Sequence, residues 1–265
     1  MTAPVLAAGR IGANGRREWR NNAEMIADVA ELYIDLEHDQ VLDPTFGKGN
    51  WWTEVRPRHL TASDLLKGDG DTVPRHDFTD LPHRDGSFAV VAFDPPYVSM
   101  GGRETSTADH TDDRFGMDTA PDSPDGVRDL IRAGIVEAER VLRRPSPGIR
   151  AGRLLVKCQD YVSSGHLQPG THWAITDALA TGGFRYVDRF EFVGPPPRQP
   201  STTKCRLCAG TGRITRPPLR VDCEICLGSG QVPRRQVHAR RNLSTLLVFE
   251  RLNTEPSAHR LPLEG

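Results

Sequence analysis

Phe88-Ala89-Val90-Val91-Ala92-Phe93-Asp94-Pro95-Pro96-Tyr97 is the stretch on which the fold turns. An apolar run of this length, stopped by two prolines, reads as a strand that delivers Asp94 to its carboxyl end. The prolines fix a rigid turn with their carbonyls exposed, and Tyr97 offers a flat face beside it. Working outward, Val41-Leu42, His59 to Ala62 and Arg153 to Val156 are further short apolar or β-rich runs. A helical period opens at Asn22, with Met25, Ile26, Val29, Leu32 and Tyr33 on one face, and periodic segments at 125–143 and 171–181 predict two more helices. Alternation of this kind predicts an α/β chain with a doubly wound, mostly parallel, Rossmann-like sheet. Phe184 to Val193 and Leu243 to Arg251 are two later strand-like runs, expected to pair as an antiparallel hairpin that carries an insertion.

Upstream, Val41-Leu42-Asp43-Pro44-Thr45-Phe46-Gly47-Lys48-Gly49-Asn50 puts an acid at a strand end and two glycines at the turn into a helix. Glycines there let backbone approach a ligand, and the acid can take an ammonium or hydroxyl. Asp64 follows 21 residues later at the end of the next strand, where nucleotide-binding α/β folds set a carboxylate against ribose hydroxyls. Asp77, with Phe78 beside it, can hydrogen-bond and cover an adenine ring. At the proline turn, the Asp94 carboxylate and a proline carbonyl suit a planar, amino-bearing ring: they accept from its exocyclic amine while Tyr97 stacks on it. Lys157 and Gln159 end the strand at 154–156. Trp51 and Trp52 are expected to pack in the core rather than against a base.

Composition sets limits. The chain has 265 residues with 34 Lys and Arg against 35 Asp and Glu, so no overall basic field draws it to nucleic acid and any such attraction must be local. No uncharged apolar run approaches the roughly 18 residues of a membrane span, which argues against a membrane partner. The short apolar stretch Pro4 to Ala8 precedes Arg10, Arg16 and Arg17, the wrong order for a secretory signal, and the expected location is the cytoplasm. Residues 1–20 read as a flexible arm. Residues 98–124, rich in acids and poor in apolar side chains, read as a long mobile loop.

Four of the five cysteines form two copies of C-x-x-C-x-G-x-G, Cys205 to Gly212 and Cys223 to Gly230, and the fifth, Cys158, reads as a buried small hydrophobe. Four thiolates in two knuckles predict one tetrahedral structural zinc, held by Cys205, Cys208, Cys223 and Cys226. The surrounding 195–241 segment has ten Lys and Arg against Asp222 and Glu224, so it should face a polyanion.

The D-P-P-Y tetrad at 94–97, together with Asp43-Pro44, Gly47 and Gly49, resembles the S-adenosylmethionine-dependent amino-methyltransferases of nucleic acids. The likeness spans about residues 22–193 and 242–251. It implies a seven-stranded sheet with one antiparallel strand. In the family's pattern Asp94, Pro95, Pro96 and Tyr97 form the catalytic turn. Asp43, Pro44, Gly47 and Gly49 bind the methionine end of the cofactor, Asp64 binds its ribose, and Asp77 with Phe78 its adenine. The family usually has D-P-F-x-G-S-G where this chain has D-P-T-F-G-K-G. D-P-P-Y is commoner among adenine-N6 enzymes, which favours methylation of adenine in duplex DNA with the base flipped out; cytosine-N4, RNA, or an inactive zinc-containing nucleic-acid-binding protein are the alternatives. The zinc knuckles resemble those of the J-domain chaperones, in two copies rather than four. The expected organisation is an arm at 1–20, a catalytic domain at 21–194, a basic zinc insertion at 195–241, and a final strand and tail at 242–265.

Overall fold

The computed structural model describes residues 19–65, 73–97, 121–163, 166–194, 202–217, 219–233 and 243–254. The arm, apart from Trp19 and Arg20, and the acid-rich loop, apart from residues 121–124, lie outside these. The chain divides into two compact units, one of Met1–Gly194 with Leu243–Gly265 and the other of Pro195–Asn242.

In the first unit helix α1 (Asn22–Tyr33) opens under an Asn21 cap, whose side chain accepts from the Glu24 N–H at 2.9 Å. Strands β1 (Gln40–Asp43), β2 (His59–Ala62), β3 (Val90–Phe93) and β4 (Arg153–Gln159) are mutually parallel. Helix α2 (Pro124–Val141) starts at Ser123, which caps Gly126, with Pro124 at a position where its missing N–H costs nothing. After β4 come a small hairpin, β5 (Tyr161–Ser163) with β6 (His166–Gln168), helix α3 (Gly170–Ala180) and strand β7 (Phe184–Val193). Strand β12 (Leu243–Arg251) lies antiparallel between β4 and β7, so the sheet order is β2-β1-β3-β4-β12-β7. This is the doubly wound Rossmann-like architecture that the alternation predicts, with the expected hairpin interrupted by the insertion.

Both sheet faces are covered. Val90 and Ala92 of β3 point with Leu155, Leu246 and Val248 toward α1, while Val91 and Phe93 point with Leu154, Val156 and Leu247 toward α2 and α3. The period-2 alternation of strand side chains makes each run serve two cores. Helix α2 comes close to the sheet at Gly134, where an added Cβ would stand 2.3 Å from Phe93. A buried ion pair, Arg251 to Glu139 at 3.0 Å, ties the end of β12 to the same helix.

The structure differs from the sequence expectations in two places. Among the described residues it has six strands rather than seven. At the edge beyond β2 only a single parallel bridge forms, Asp64 with Arg75, because Pro74 has no N–H to give a ladder. The segment after the glycine loop makes one 3-10 turn, Asn50–Trp52, instead of a helix, since Pro57 follows too soon for one to develop. Among the described residues no helix is long and apolar enough to cross a membrane.

The second unit consists of two antiparallel pairs, β8 (Thr202–Lys204) with β11 (Gln231–Pro233) and β9 (Arg213–Arg216) with β10 (Leu219–Asp222). Its core is the four cysteines, with Ile214 and Val232 against them.

Candidate functional site

Strands β1 and β3 are neighbours in the sheet, so Asp43 and Asp94 emerge side by side from its carboxyl edge. Thr45 joins them: its hydroxyl accepts from the Asp94 N–H at 2.8 Å and lies 3.4 Å from Asp43 Oδ1, which also accepts the Thr45 N–H at 3.0 Å. The two adjacent tryptophans close the ring. Trp52 donates its indole N–H to Asp43 Oδ2 at 2.7 Å, and Trp51 donates to Asp94 Oδ2 at 2.9 Å. Both indoles are buried, as expected, but they also serve as donors to the two motif acids. Two indoles following a glycine loop whose acids need donors were the available signal.

Gly47 and Gly49 both have positive φ, 53° and 71°, which lets the chain reverse tightly after Phe46. Beside Gly47 nothing lies within 4 Å of where a Cβ would be, while at Gly49 the Phe46 ring would be 2.6 Å away. The Gly47 N–H donates to Asp64 Oδ2 at 2.8 Å, so Asp64 reaches across from the end of β2 to hold the loop. Pro44 forms the turn between Asp43 and Thr45.

Asp43 is 4% exposed. Burial pushes its carboxyl up to about 7; the Trp52 and Thr45 hydrogen bonds act against this, and the nearby Asp94 and Asp64 charges reinforce it. Three acids meet at the glycine loop, and a cationic ligand would relieve their mutual repulsion. Nothing lies within 4 Å of a Cβ position at Gly47, so a ligand could approach the backbone there closely.

Pro95 is buried, and Pro96 and Tyr97 are partly so. Asp94 Oδ1 is buried and accepts no hydrogen bond. Lys157, 3% exposed at the end of β4, brings its ammonium to 3.8 Å from that oxygen and 5.6 Å from the Tyr97 ring centroid. Burial also raises the Tyr97 hydroxyl above its ordinary value. Asp77 is engaged in its own turn, with Oδ1 accepting from the Thr79 N–H at 2.8 Å and its hydroxyl at 2.7 Å. Phe78, expected to cover an adenine, is a core ring instead: it is 6% exposed and packs edge-on against Phe93 at 5.0 Å. Cys158 is fully buried, and burial pushes its thiol up to about 12.

In the insertion the two knuckles repeat each other at an 18-residue offset. Cys205 N–H donates to Gly230 O at 2.9 Å and Cys223 N–H to Gly212 O at 2.8 Å. Gly212 and Gly230 N–H groups donate to the sulfurs of Cys208 and Cys226 at 3.3 and 3.2 Å. A Cβ at Gly212 would meet Gly228 O at 2.1 Å, and one at Gly230 would meet Gly210 O at 2.3 Å, so the knuckles interlock only through glycine. The four sulfurs lie within 4.8 Å of one another, with separations of 3.7 Å for Cys205 to Cys223 and 3.6 Å for Cys208 to Cys226. Thiolates about 2.3 Å from one tetrahedral ion stand about 3.8 Å apart, so the set fits zinc. Arg213 pairs with Asp222 at 3.6 Å and Arg216 with Glu224 at 2.7 Å.

No protein-family profile matches the chain, and no curated protein matches its sequence. Solved structures similar to it include an S-adenosylmethionine-dependent methyltransferase from Methanosarcina mazei, 10% identical over 84% of this chain and 97% of that one, TM-score 0.41. A protein of Thermus thermophilus described as a DNA modification methylase is 13% identical over 67% of this chain and 51% of that one, TM-score 0.32. The cyclase SpnF is 16% identical over 71% of this chain and 67% of that one, TM-score 0.43. At these values the likenesses carry no weight for substrate or chemistry, and the fold class rests on the strand order itself.

Proposed function

We propose that this protein transfers a methyl group from S-adenosylmethionine to the exocyclic amine of a nucleobase, adenine-N6 in duplex DNA. The observation that carries this reading is the state of Asp94: one oxygen fixed by Trp51, the other buried and accepting no hydrogen bond, on a proline-stiffened turn beside the glycine loop. A buried carboxylate oxygen that accepts no hydrogen bond lacks a donor, and an amine would supply one. Asp43, Pro44, Gly47 and Gly49 would hold the methionine end of the cofactor, Asp64 its ribose, and Asp77 its adenine; the Phe78 side chain contributes packing beneath. When bound, the cofactor supplies a methyl group already activated on a sulfonium. Asp94 Oδ1 and the Pro95 carbonyl accept the two amine hydrogens and turn the nitrogen lone pair out of the ring plane. Tyr97 stacks on the base and sets its height. Catalysis is then positioning for in-line displacement. Cys205, Cys208, Cys223 and Cys226 hold a zinc that is structural, because four thiolates leave no open position. The basic insertion is read as the part that meets the nucleic-acid backbone.

Methyl transfer from labelled cofactor to duplex DNA, single-stranded DNA and RNA tests the reading, with Asp94→Ala as control. Adenine-N6 methylation of duplex DNA that disappears in Asp94→Ala is expected. Label on cytosine or RNA would correct the substrate, and an Asp94→Ala protein as active as the parent would remove the assignment at this site.

A further inference from the structure

The ion pair between Lys157 and Asp94 has an unusual spacing. At 3.8 Å the ammonium is too far from Oδ1 to hydrogen-bond, whereas a purely structural lysine–carboxylate pair closes to about 2.7–2.9 Å. The lysine's donors and the carboxylate's lone pairs are therefore not spent on each other, although Lys157 is 3% exposed and Oδ1 is buried. A bare acceptor with a donor beside it, next to the Tyr97 ring, is the complement of a base edge that offers a donor and a neighbouring acceptor. Such an edge occurs in adenine, where N1 and N7 lie on either side of the amine, and in cytosine, where N3 lies beside it. A lysine has donors only, so the atom it faces must be an acceptor.

We propose that Lys157 is a specificity-determining contact, its ammonium donating to the ring nitrogen beside the amine that Asp94 accepts from. The inference rests on the base-methylation reading above. The Asp94–Lys157 pair then reads amine and ring nitrogen together, and rejects uracil and thymine, whose carbonyl at the amine position would face the carboxylate. Burial works against the ammonium, yet Asp94 and Tyr97 beside it hold Lys157 above the ordinary lysine value, so the donor persists through neutral pH. Strand β4 supplies the rigidity: Lys157 is in register with Leu246 of β12, and Val156 before it with Phe93 of β3.

The test uses the full chain, labelled S-adenosylmethionine and duplexes with adenine, 1-deazaadenine or 7-deazaadenine at the methylated position, with 3-deazacytosine in that role if cytosine proves to be the target. Each analogue replaces one ring nitrogen by CH. For the wild-type protein one analogue should be slower than the natural base by about ten- to a hundred-fold, the range for a hydrogen bond to a charged group. In Lys157→Met that analogue-to-natural ratio should return toward the intrinsic value, and Lys157→Arg should keep part of the discrimination. Comparing ratios removes the change in amine basicity that each analogue brings to both proteins. Equal ratios in wild type and Lys157→Met would overturn the proposal, and so would a wild-type protein that accepts every analogue as well as the natural base, a result that needs no variant to fold. A wild type that methylates the natural base while showing no ring-nitrogen effect would overturn the lysine contact alone; one that methylates no base would overturn the underlying reading.

Discussion

Trp51 and Asp94 are 43 residues apart in sequence, and the indole N–H of one donates to Oδ2 of the other at 2.9 Å. The glycine loop and the proline turn are therefore one mechanical piece. An indole that packs in the core cannot swing aside, so it selects which carboxylate oxygen is left for a ligand. Trp51→Phe keeps most of the packing and removes the donor. It should slow methyl transfer by about ten-fold or more while cofactor affinity stays within a few-fold, since a hydrogen bond to a charged group contributes about 1.5–3 kcal/mol. Single-turnover rates beside cofactor titration would check the split.

Asp43 gives a pH signature. Its folded value, about 7, exceeds the ordinary 3.8, so the folded state favours the protonated form. Sequestering the charge leaves stability intact at pH values below 3.8 and lost progressively as pH rises through 7, by about 4 kcal/mol in all. Asp43→Asn should thus be more stable than the parent at pH 8 by a wider margin than at pH 5, even though its amide meets the Thr45 N–H poorly. Thermal melts at the two pH values measure this. A cation bound beside Asp43 favours the carboxylate, so cofactor affinity should rise with pH up to about 7, with proton release visible by calorimetry in buffers of different ionisation heat. Asp43→Asn should bind cofactor weakly at every pH.

At the proline turn the expected order of damage is Asp94→Ala, then Tyr97→Ala, then Tyr97→Phe. Asp94→Ala removes the amine acceptor and should abolish transfer with cofactor affinity within a few-fold. Tyr97→Ala removes stacking, about 1–3 kcal/mol per base, and should cost about ten- to a hundred-fold, whereas the phenylalanine keeps the ring. Rates with labelled cofactor rank the three. If Tyr97→Phe were as damaging as Asp94→Ala, the hydroxyl would be taking part in chemistry and the stacking account would be wrong.

For the insertion, metal analysis should give one zinc per chain, absent from a Cys205→Ser/Cys223→Ser double variant and retained in Cys158→Ser. Arg213 and Arg216 already face Asp222 and Glu224, whereas Lys204 and Arg220 have no acid partner among the described residues. Neutralising Lys204 and Arg220 should therefore reduce the salt dependence of duplex binding more than neutralising Arg213 and Arg216, the slope falling by about 0.9 for every phosphate that is no longer neutralised. Binding isotherms across a salt series distinguish the two pairs.

The sheet was legible because β3, β4 and β12 are apolar runs, β7 alternates aromatic and β-branched residues with charges, and α2 has a clear amphipathic period: β3, β4, β7, β12, α2 and α3 all fall where the sequence patterns place them. The seventh strand was implied by likeness alone, and Pro74 breaks it locally. Asp43, Asp64 and Asp94 were legible as strand-end acids, and their gathering at one edge follows from parallel neighbours. What stayed hidden was the wiring between them. Trp51, Trp52 and Thr45 act through the direction of one N–H or hydroxyl each, which periodicity does not encode, and Phe78 turns inward because Gly134 opens space for it. Thr45 also stands where the methyltransferases that the tetrad resembles usually have D-P-F, and here the smaller polar side chain bridges two motifs instead of filling volume.

Val193 and Leu243 are opposite one another at the end of the β7–β12 pairing, and the whole Pro195–Asn242 unit leaves and returns between them. A hairpin tip is the site at which a sheet tolerates foreign chain most readily, because its ladder is complete on the near side of the junction. The inserted unit, whose core is four cysteines with Ile214 and Val232 against them, has a core of its own. It thus has the character of an exchangeable cartridge: a two-residue Asn-Gly link from Gly194 to Leu243 should leave the sheet closed, and unrelated modules could be fitted at the same socket without a change in any strand.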